Sequence, residues 1–493
     1  MRIAFVHCFT ESIAIEYLSA FLKKEGHEVS LFFDPLLFDN YLVKNKIMNT
    51  IFSHQSSLID SVVKFNPDIT AFSGLTDNYV WCCDIAREIK RRIKTTVVFG
   101  GLHPTAVPHR VLKNNFIDFV IIGEGEEAMV ELADCLVSGK KISDIRNLVY
   151  RHNSRVIIND PRPPLKDLDG LPFPDKDLFF RQYHNLINDG YLISSSRGCL
   201  YRCSYCNWNL IEKMYGKYYR WRSPGNVIKE LVWAKERYAI KRVQFMDSIF
   251  TYNKKWLEEF LPDYKEKVGI PFFCYIYPSP LIDKKLIDML QDAGCVTMTM
   301  GVQTINPKLR KEIYLRTETN EHVKHCIALI KKARIGLILG FILFPTQTEQ
   351  EVINTLKFCY ENKPDFAVGQ WLMYFPGAEV INISKRLSIL NDNDIEDIEE
   401  GRDKFPYFKK QYPIKNISKI ANLFLFSGII PSFMMKNIIK SKLYRCLPSA
   451  NLYLPTLILV CLLKKQFRKE PVISVLYFIK YYINYAVKKL LNR

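Results

Sequence analysis

Short apolar runs that end in glycine and alternate with stretches of helical periodicity constrain this chain more than any other feature. "RIAFV" leads into a segment with Ile15, Leu18 and Leu22 at helical spacing; Gly26 stops it, and "EVSLFF" returns to strand. "DITAFSGLT" runs into a glycine turn, and Ile85, Ile89 and Ile93 then align on one helix face. "TTVVFGG" and "DFVIIGEGE" are further strands closed by glycines. This alternation predicts an α/β unit over residues 1–145, a doubly wound parallel sheet whose ligand crevice lies beyond the C-terminal strand ends, where the glycine turns fall.

A second alternating series begins at "GYLISSSRGC". Ser223 reads as an N-cap with Pro224 at the first helical position, Val227 and Leu231 turn inward, and "KRVQFMD" is the next strand. Three more pairs follow, the last opened by a capping box of Thr348 and Glu351. About six such units predict a full or partial (β/α)6 barrel over residues 191–390, with function at the C-terminal strand ends. Between the two series, residues 146–190 hold "NDPRPPLKDLDGLPFPDKD", too rich in Pro and Asp for a core element, and read as a linker. Residues 391–493 read as a basic, largely helical C-terminal region.

A chain of 493 residues exceeds what one core organises, in keeping with this division. Met1 leads directly into a strand pattern with no cleavage site, so no signal peptide is expected. The 13 cysteines are scattered and odd in number, which points to a reducing compartment and away from a disulfide framework. The net charge of +18 is uneven: from Lys436 to Arg493 twelve Lys or Arg face one acid, Glu470. The longest uncharged stretch there, Cys446 to Leu463, is interrupted by Pro448 and Pro455, whereas a spanning helix wants about 20 apolar residues. Two readings of the tail stand: an interfacial helix with cationic flanks, or a helical domain packed on the barrel with a solvated basic face. A basic face also suits an acidic electron donor such as flavodoxin, and no nucleic-acid motif accompanies the charge.

"SSSRGCLYRCSYCN" places Cys199, Cys203 and Cys206 within eight positions. Disulfide pairing would leave one thiol over. Structural zinc wants a closed shell of four ligands, and the nearest histidine in sequence, His184, is fifteen residues before Cys199. A four-iron cluster on three cysteines leaves one iron open to an exogenous molecule.

The spacing of three, then two, residues with an aromatic before the last cysteine resembles the radical S-adenosylmethionine superfamily. The resemblance implies a [4Fe-4S] cluster on Cys199, Cys203 and Cys206, S-adenosylmethionine at the open iron, and a 5'-deoxyadenosyl radical. "FMDSIFTYN" resembles the strand end that contacts the methionyl amine, which points to Asp247 and Ser248. "GVQT" stands where relatives carry Gly-x-Glu-Ser, so Gln303 keeps the hydrogen bonding without the charge. "GFILFPTQTEQE" and "YFPGAEV" resemble the fifth- and sixth-strand segments, giving Ile342 and Tyr374 as further cofactor contacts, with Tyr205 packed beside them.

The first domain, with "SGLT", "GGLHP" and "GEGE", resembles the cobalamin-binding domain that precedes the barrel in a large group of these enzymes. The resemblance covers residues 1 to about 390. It implies cobalamin as a cofactor and corrin contacts at Ser73, Gly74, Leu75, Gly100, Gly101, His103, Glu124 and Gly125. The Asp-x-His-x-x-Gly motif that supplies a cobalt ligand elsewhere is absent, and His7 is expected in a loop. The implied activity is methylation of an unactivated carbon with methylcobalamin. The competing readings are a radical cyclisation, oxidation or rearrangement; methylthiolation of transfer RNA; and a non-catalytic cobalamin or zinc protein. Methylthiolation needs a second cluster, yet Cys82, Cys83 and Cys135 fall in helical patterns and only Cys8 at a strand end. Implied partners are a flavodoxin- or ferredoxin-like electron donor and a small-molecule or lipid-like substrate. The implied location is the cytoplasm, with the basic tail offering peripheral contact to the inner face of the membrane.

Overall fold

The computed structural model describes residues 1–36, 39, 47, 49–50, 53–181, 190–216, 219–402 and 416–447. The first sheet comprises β1 (Arg2–Cys8), β2 (Glu28–Asp34), β3 (Ile69–Ser73), β4 (Thr96–Gly100), β5 (Phe119–Ile121), β6 (Leu148–His152) and β7 (Arg155–Ile158), in the order β2-β1-β3-β4-β5-β6-β7. Its first five strands are parallel. Successive side chains of β1 separate to opposite faces, as a period of two dictates. Ile3 and Phe5 pack with helices Ile13–Lys24 and Glu126–Ser138, whereas Ala4 and Val6 pack with helices Gln55–Phe65 and Tyr79–Arg92. The sheet is therefore doubly wound. The order of strand addition reverses between β1 and β3, the switch point at which such sheets bind ligands.

Residues 148–158, taken as linker, form the antiparallel hairpin β6–β7 that extends this sheet. Asn153 and Ser154 both adopt positive φ at its turn, the conformation that tight hairpins demand. The remainder of that stretch is anchored as well: Leu168 and Leu171 pack on Tyr17, and Ser19 Oγ donates to Asp175 at 2.6 Å.

The second sheet begins with β8 (Tyr191–Ile193). β9 (Ser196–Arg197) and β10 (Arg220–Trp221) pair antiparallel and frame the cysteine segment. β11 (Val243–Phe245), β12 (Phe272–Ile276), β13 (Cys295–Gln303), β14 (Gly336–Leu343) and β15 (Phe366–Trp371) then follow β8 in an all-parallel sheet of six, a partial barrel. The outer helices start where the sequence marks them. Ser223 accepts from the Asn226 N–H at 3.1 Å, and Thr348 and Glu351 exchange both bonds of their capping box.

The open edge at β15 is covered by helix Ile417–Leu425. Its Ile420 and Phe424 join the barrel core, and Phe424 lies so close to Gly369 that a Cβ there would sit 2.5 Å from the ring. Residues 416–447 are helical in part and pack on the barrel at this edge, whereas the reading of the basic tail as a packed helical domain falls mostly on residues 448–493. The interfacial-helix reading falls on residues 448–493, outside the described residues. No helix among the described residues is long and apolar enough to cross a membrane.

Candidate functional site

The cysteine segment hangs from the short β9–β10 hairpin, and that hairpin is tied to the first domain by charge. Arg197, two residues before Cys199, donates to Glu124 at 2.9 Å and to Glu126 at 2.6 Å. Arg220 on the paired strand reaches the same Glu124 at 2.8 Å. These groups are largely buried, so each guanidinium is held by geometry that water cannot substitute. Downstream, Cys206 N–H closes a turn on the Cys203 carbonyl at 3.0 Å, and Asn209 Nδ2 donates to that carbonyl at 2.9 Å.

Cys199, Cys203 and Cys206 are free thiols and line one cavity of ≈950 Å³ inside the barrel. Burial pushes the Cys206 thiol up to about 12, and the two neighbouring thiols add to the shift. Cys199 is raised by burial and by Cys203. Ionising all three together is costly unless a cationic group compensates, and a metal cluster provides that compensation. Among the described residues no three His, Cys, Asp or Glu side chains converge to hold one metal ion. Three free thiols opening into a large cavity fit an iron–sulfur cluster with one iron left without a protein ligand.

A buried ion pair beside the thiols was not apparent from the sequence. Arg316 Nη1 lies 3.8 Å from Cys203 Sγ and donates to Tyr205 Oη at 2.9 Å, Nη2 donates to the Gly301 carbonyl at 2.7 Å, and Nε donates to Glu318 Oε1 at 2.7 Å. The guanidinium also sits 4.4 Å above the Tyr277 ring, whose hydroxyl donates to Glu318. The only trace in the sequence is the Arg-Thr-Glu order at 316–318.

The other expected cofactor contacts divide. Tyr205, Ser248, Gln303 and Ile342 line the cavity with the cysteines. Gln303 reaches it from a bulge at the end of β13, where the register slips and its φ is +63°. Asp247 does not line the cavity. Its carboxylate is 2 % exposed and accepts from Ser195 N–H at 3.1 Å, Ser195 Oγ at 2.8 Å and Ser196 Oγ, so it secures the strand end beneath the cysteine segment. Tyr374 does not line the cavity; it is fully buried in the apolar cluster against which Tyr205 and Ile342 pack, its hydroxyl 3.0 Å from Ser384 Oγ.

A second cavity of ≈340 Å³ opens beyond the strand ends of the first sheet. Of the residues expected there, Ser73, Gly100, Gly101, Glu124 and Gly125 line it. Gly74, Leu75 and His103 do not. His103 is buried, stacked 4.2 Å from Tyr79 and 3.1 Å from Thr76 Oγ1. Gly74 packs beneath Pro104, and Leu75 is exposed. Gly101, at φ +100°, has no room for a side chain, because a Cβ would lie 2.7 Å from the Gly74 carbonyl. Bare backbone at this crevice, faced by Ala14 and Ala71, suits the approach of a broad apolar ring. His7 is in β1 rather than a loop; Phe33 and Phe179 flank it, and burial lowers its imidazole to about 4. It does not line this second cavity. Trp208 and Ser248 line both cavities, so the two spaces adjoin.

Residues 193–359 match the family described as the Radical SAM superfamily, and residues 4–133 match the B12 binding domain. The chain is 29% identical over 335 residues to the uncharacterized methyltransferase PH0819 of Pyrococcus horikoshii, covering 66% of this chain and 71% of that protein. It is 25% identical over 401 residues to the anaerobic magnesium-protoporphyrin IX monomethyl ester cyclase of Rubrivivax gelatinosus, covering 76% of this chain and 68% of that protein. Among solved structures, the radical S-adenosylmethionine methyltransferase TsrM of Kitasatospora setae superposes with a TM-score of 0.63 at 19% identity, covering 79% of this chain and 77% of that one. The cobalamin-dependent S-adenosylmethionine radical enzyme OxsB superposes with a TM-score of 0.67 at 13% identity, covering 98% and 84%.

Proposed function

Because this chain belongs to the radical SAM enzymes that carry a B12-binding domain ahead of the barrel, we propose that it methylates an unactivated carbon of its substrate. The observation that carries the reading is the pair of adjoining cavities, one walled by three thiols and the other by bare glycine backbone, with Trp208 and Ser248 between them.

When bound, a cluster on Cys199, Cys203 and Cys206 supplies the electron that breaks the sulfonium of S-adenosylmethionine, and cobalamin in the adjoining cavity carries the methyl group. The residues around them do the positioning. Arg316 places a permanent cation beside Cys203 and offsets thiolate charge there. Gln303 and Ser248 offer neutral hydrogen-bonding groups to a bound cofactor. Asp247, through Ser195 and Ser196, fixes the height of the strand end that presents Cys199. Tyr201, stacked 3.8 Å on Tyr277, walls the thiol end with aromatic surface that keeps out water, as radical chemistry requires.

Enzymes of this superfamily need an external reductant; a flavodoxin- or ferredoxin-like protein is the donor proposed here. The basic tail as a peripheral membrane contact in a cytoplasmic enzyme remains part of the proposal. The match to the cyclase favours, as a second reading, a ring closure without methyl transfer. Anaerobic reconstitution followed by iron, corrin and 5'-deoxyadenosine analysis tests the proposal, and product mass separates the readings: methylation adds one methylene, ring closure none. Turnover of S-adenosylmethionine with methylcobalamin left unmodified would overturn the first.

A further inference from the structure

The turn Gly123–Glu126 of the first domain holds the cysteine segment on both sides of its thiols. Ahead of them, Arg197 donates to Glu124 and Glu126. Behind them, helix Trp208–Tyr215 begins two residues after Cys206, and at its end the Tyr215 hydroxyl accepts from the Glu124 N–H at 3.3 Å. That hydroxyl enters space which glycine alone leaves free, since a Cβ on Gly123, at φ +67°, would lie 1.8 Å from Tyr215 Oη. Farther on, Arg220 donates to Glu124 Oε1 at 2.8 Å and to the Leu165 carbonyl. One turn thus grips residues 197, 215 and 220.

The two sides of this contact are anchored unequally. The turn is set from behind: buried Asn147 donates to the Glu124 carbonyl at 2.7 Å, and the Gly123 N–H donates to Thr105 Oγ1 at 3.0 Å. The β9–β10 pair has two residues per strand, and a lone two-stranded pair is marginal in water. Its position is therefore set by docking on the turn. The same docking builds the second cavity, whose wall is formed by Glu124 and Gly125 on one side and by Ser196, Arg197 and Gly198 on the other. Gly198 directly precedes Cys199. A ligand that fills this cavity favours the docked segment, and so does a cluster that fixes the thiols in place, because both bind one arrangement of the same residues. Two ligands that favour one state strengthen each other by the same factor. Tyr215 and Arg220 themselves line neither cavity.

We infer that Tyr215 and Arg220 are positioning residues that dock the cysteine segment on the first domain, and that a corrin in the second cavity and a cluster on the thiols each reinforce that docking, so that either raises the affinity for the other. The inference deepens the reading of the two cavities as cofactor sites and rests on it.

The test is equilibrium dialysis of hydroxocobalamin against the full chain, iron-free and again after anaerobic cluster reconstitution. A weakened dock should lower affinity only where no cluster supports it. In the iron-free state Arg220→Met, which leaves Glu124 its bond to Arg197, should bind hydroxocobalamin about tenfold more weakly than the parent. After reconstitution the same variant should bind within about twofold of the parent. Tyr215→Phe, which keeps the ring and removes the acceptor, should move the same way by a smaller factor. In the reverse direction, a ferrous chelator should strip iron from Arg220→Met faster than from the parent, and hydroxocobalamin should slow that loss. Circular dichroism establishes that each variant is folded. Affinity lowered equally in both iron states marks plain damage to the cavity and overturns the inference, as do two folded variants that bind like the parent without iron. Either result leaves the proposed methylation standing, whereas a parent chain that takes up no iron or binds no hydroxocobalamin sinks that reading and this inference with it.

Discussion

Arg316 and Glu318 are almost completely buried, and their mutual attraction offsets a desolvation that neither could bear alone. Arg316→Ala, which takes the nearer cation from Glu318 and leaves it Arg310 at 3.5 Å and the Tyr277 hydroxyl, should cost about 3 kcal/mol of stability, whereas Arg316→Met with Glu318→Gln should recover part of it. Denaturant titration of the cluster-free protein checks both. The pair was invisible in the sequence because Arg316 meets Cys203 across 113 positions, a contact only the barrel creates. The thiols, by contrast, were legible, since ligand spacing within one loop survives without tertiary knowledge. Asp247 was located correctly at a strand end, but its oxygens are taken by Ser195 and Ser196, a neighbourhood that depends on β8 and β11 lying side by side. His7 carries a pH signature. Burial holds its imidazole near 4 in the folded chain against 6.5 in the open chain, so the unfolded state binds the extra proton between those values. Stability contributed by neutral His7 is therefore present above pH 6.5 and is lost as pH falls toward 4, by up to about 3 kcal/mol. The stability difference between the parent and His7→Gln should shrink across that window; a difference independent of pH would contradict it.

Elements were readable where caps and periodicity agree, as at the Thr348–Glu351 box. Thr348→Ala should lower stability by about 1 kcal/mol by unfastening that helix. The β6–β7 hairpin was missed because the Pro- and Asp-rich run that follows it dominates the composition of the segment, although "LVYRHNSRVII" already alternates around an Asn-Ser turn. The β9–β10 hairpin, two residues per strand, is too short to register in any periodicity and exists through Arg197, Arg220 and Glu124. Glu124→Ala leaves both guanidiniums short of a partner. It should reduce iron incorporation several-fold, measured as iron per chain, while the parallel sheets keep their circular dichroism. At the other edge, Phe424→Ala should cost about 3–4 kcal/mol by opening a void over Gly369.

Among the described residues, the parallel strands of the two sheets bring their C-terminal ends Ser73, Gly100, Ser194 and Met246 to one cavity, and the other cavity adjoins it there. Alternating strand and helix patterns foretold both sheets, and the glycine turns foretold the crevice of the first. The ≈950 Å³ cavity inside the barrel was not foretold, since a half-buried strand position reads in sequence like any other inward residue. The proposed chemistry requires one iron of a cluster on Cys199, Cys203 and Cys206 to be left open by the protein. The most direct test is Mössbauer and electron paramagnetic resonance spectroscopy of anaerobically reconstituted protein with and without S-adenosylmethionine. About four irons per chain are expected, with a reduced-cluster signal that shifts when S-adenosylmethionine is added, and loss of both in Cys203→Ala. A colourless protein, or a cluster whose spectrum ignores S-adenosylmethionine because side chains already fill every coordination position, would contradict it.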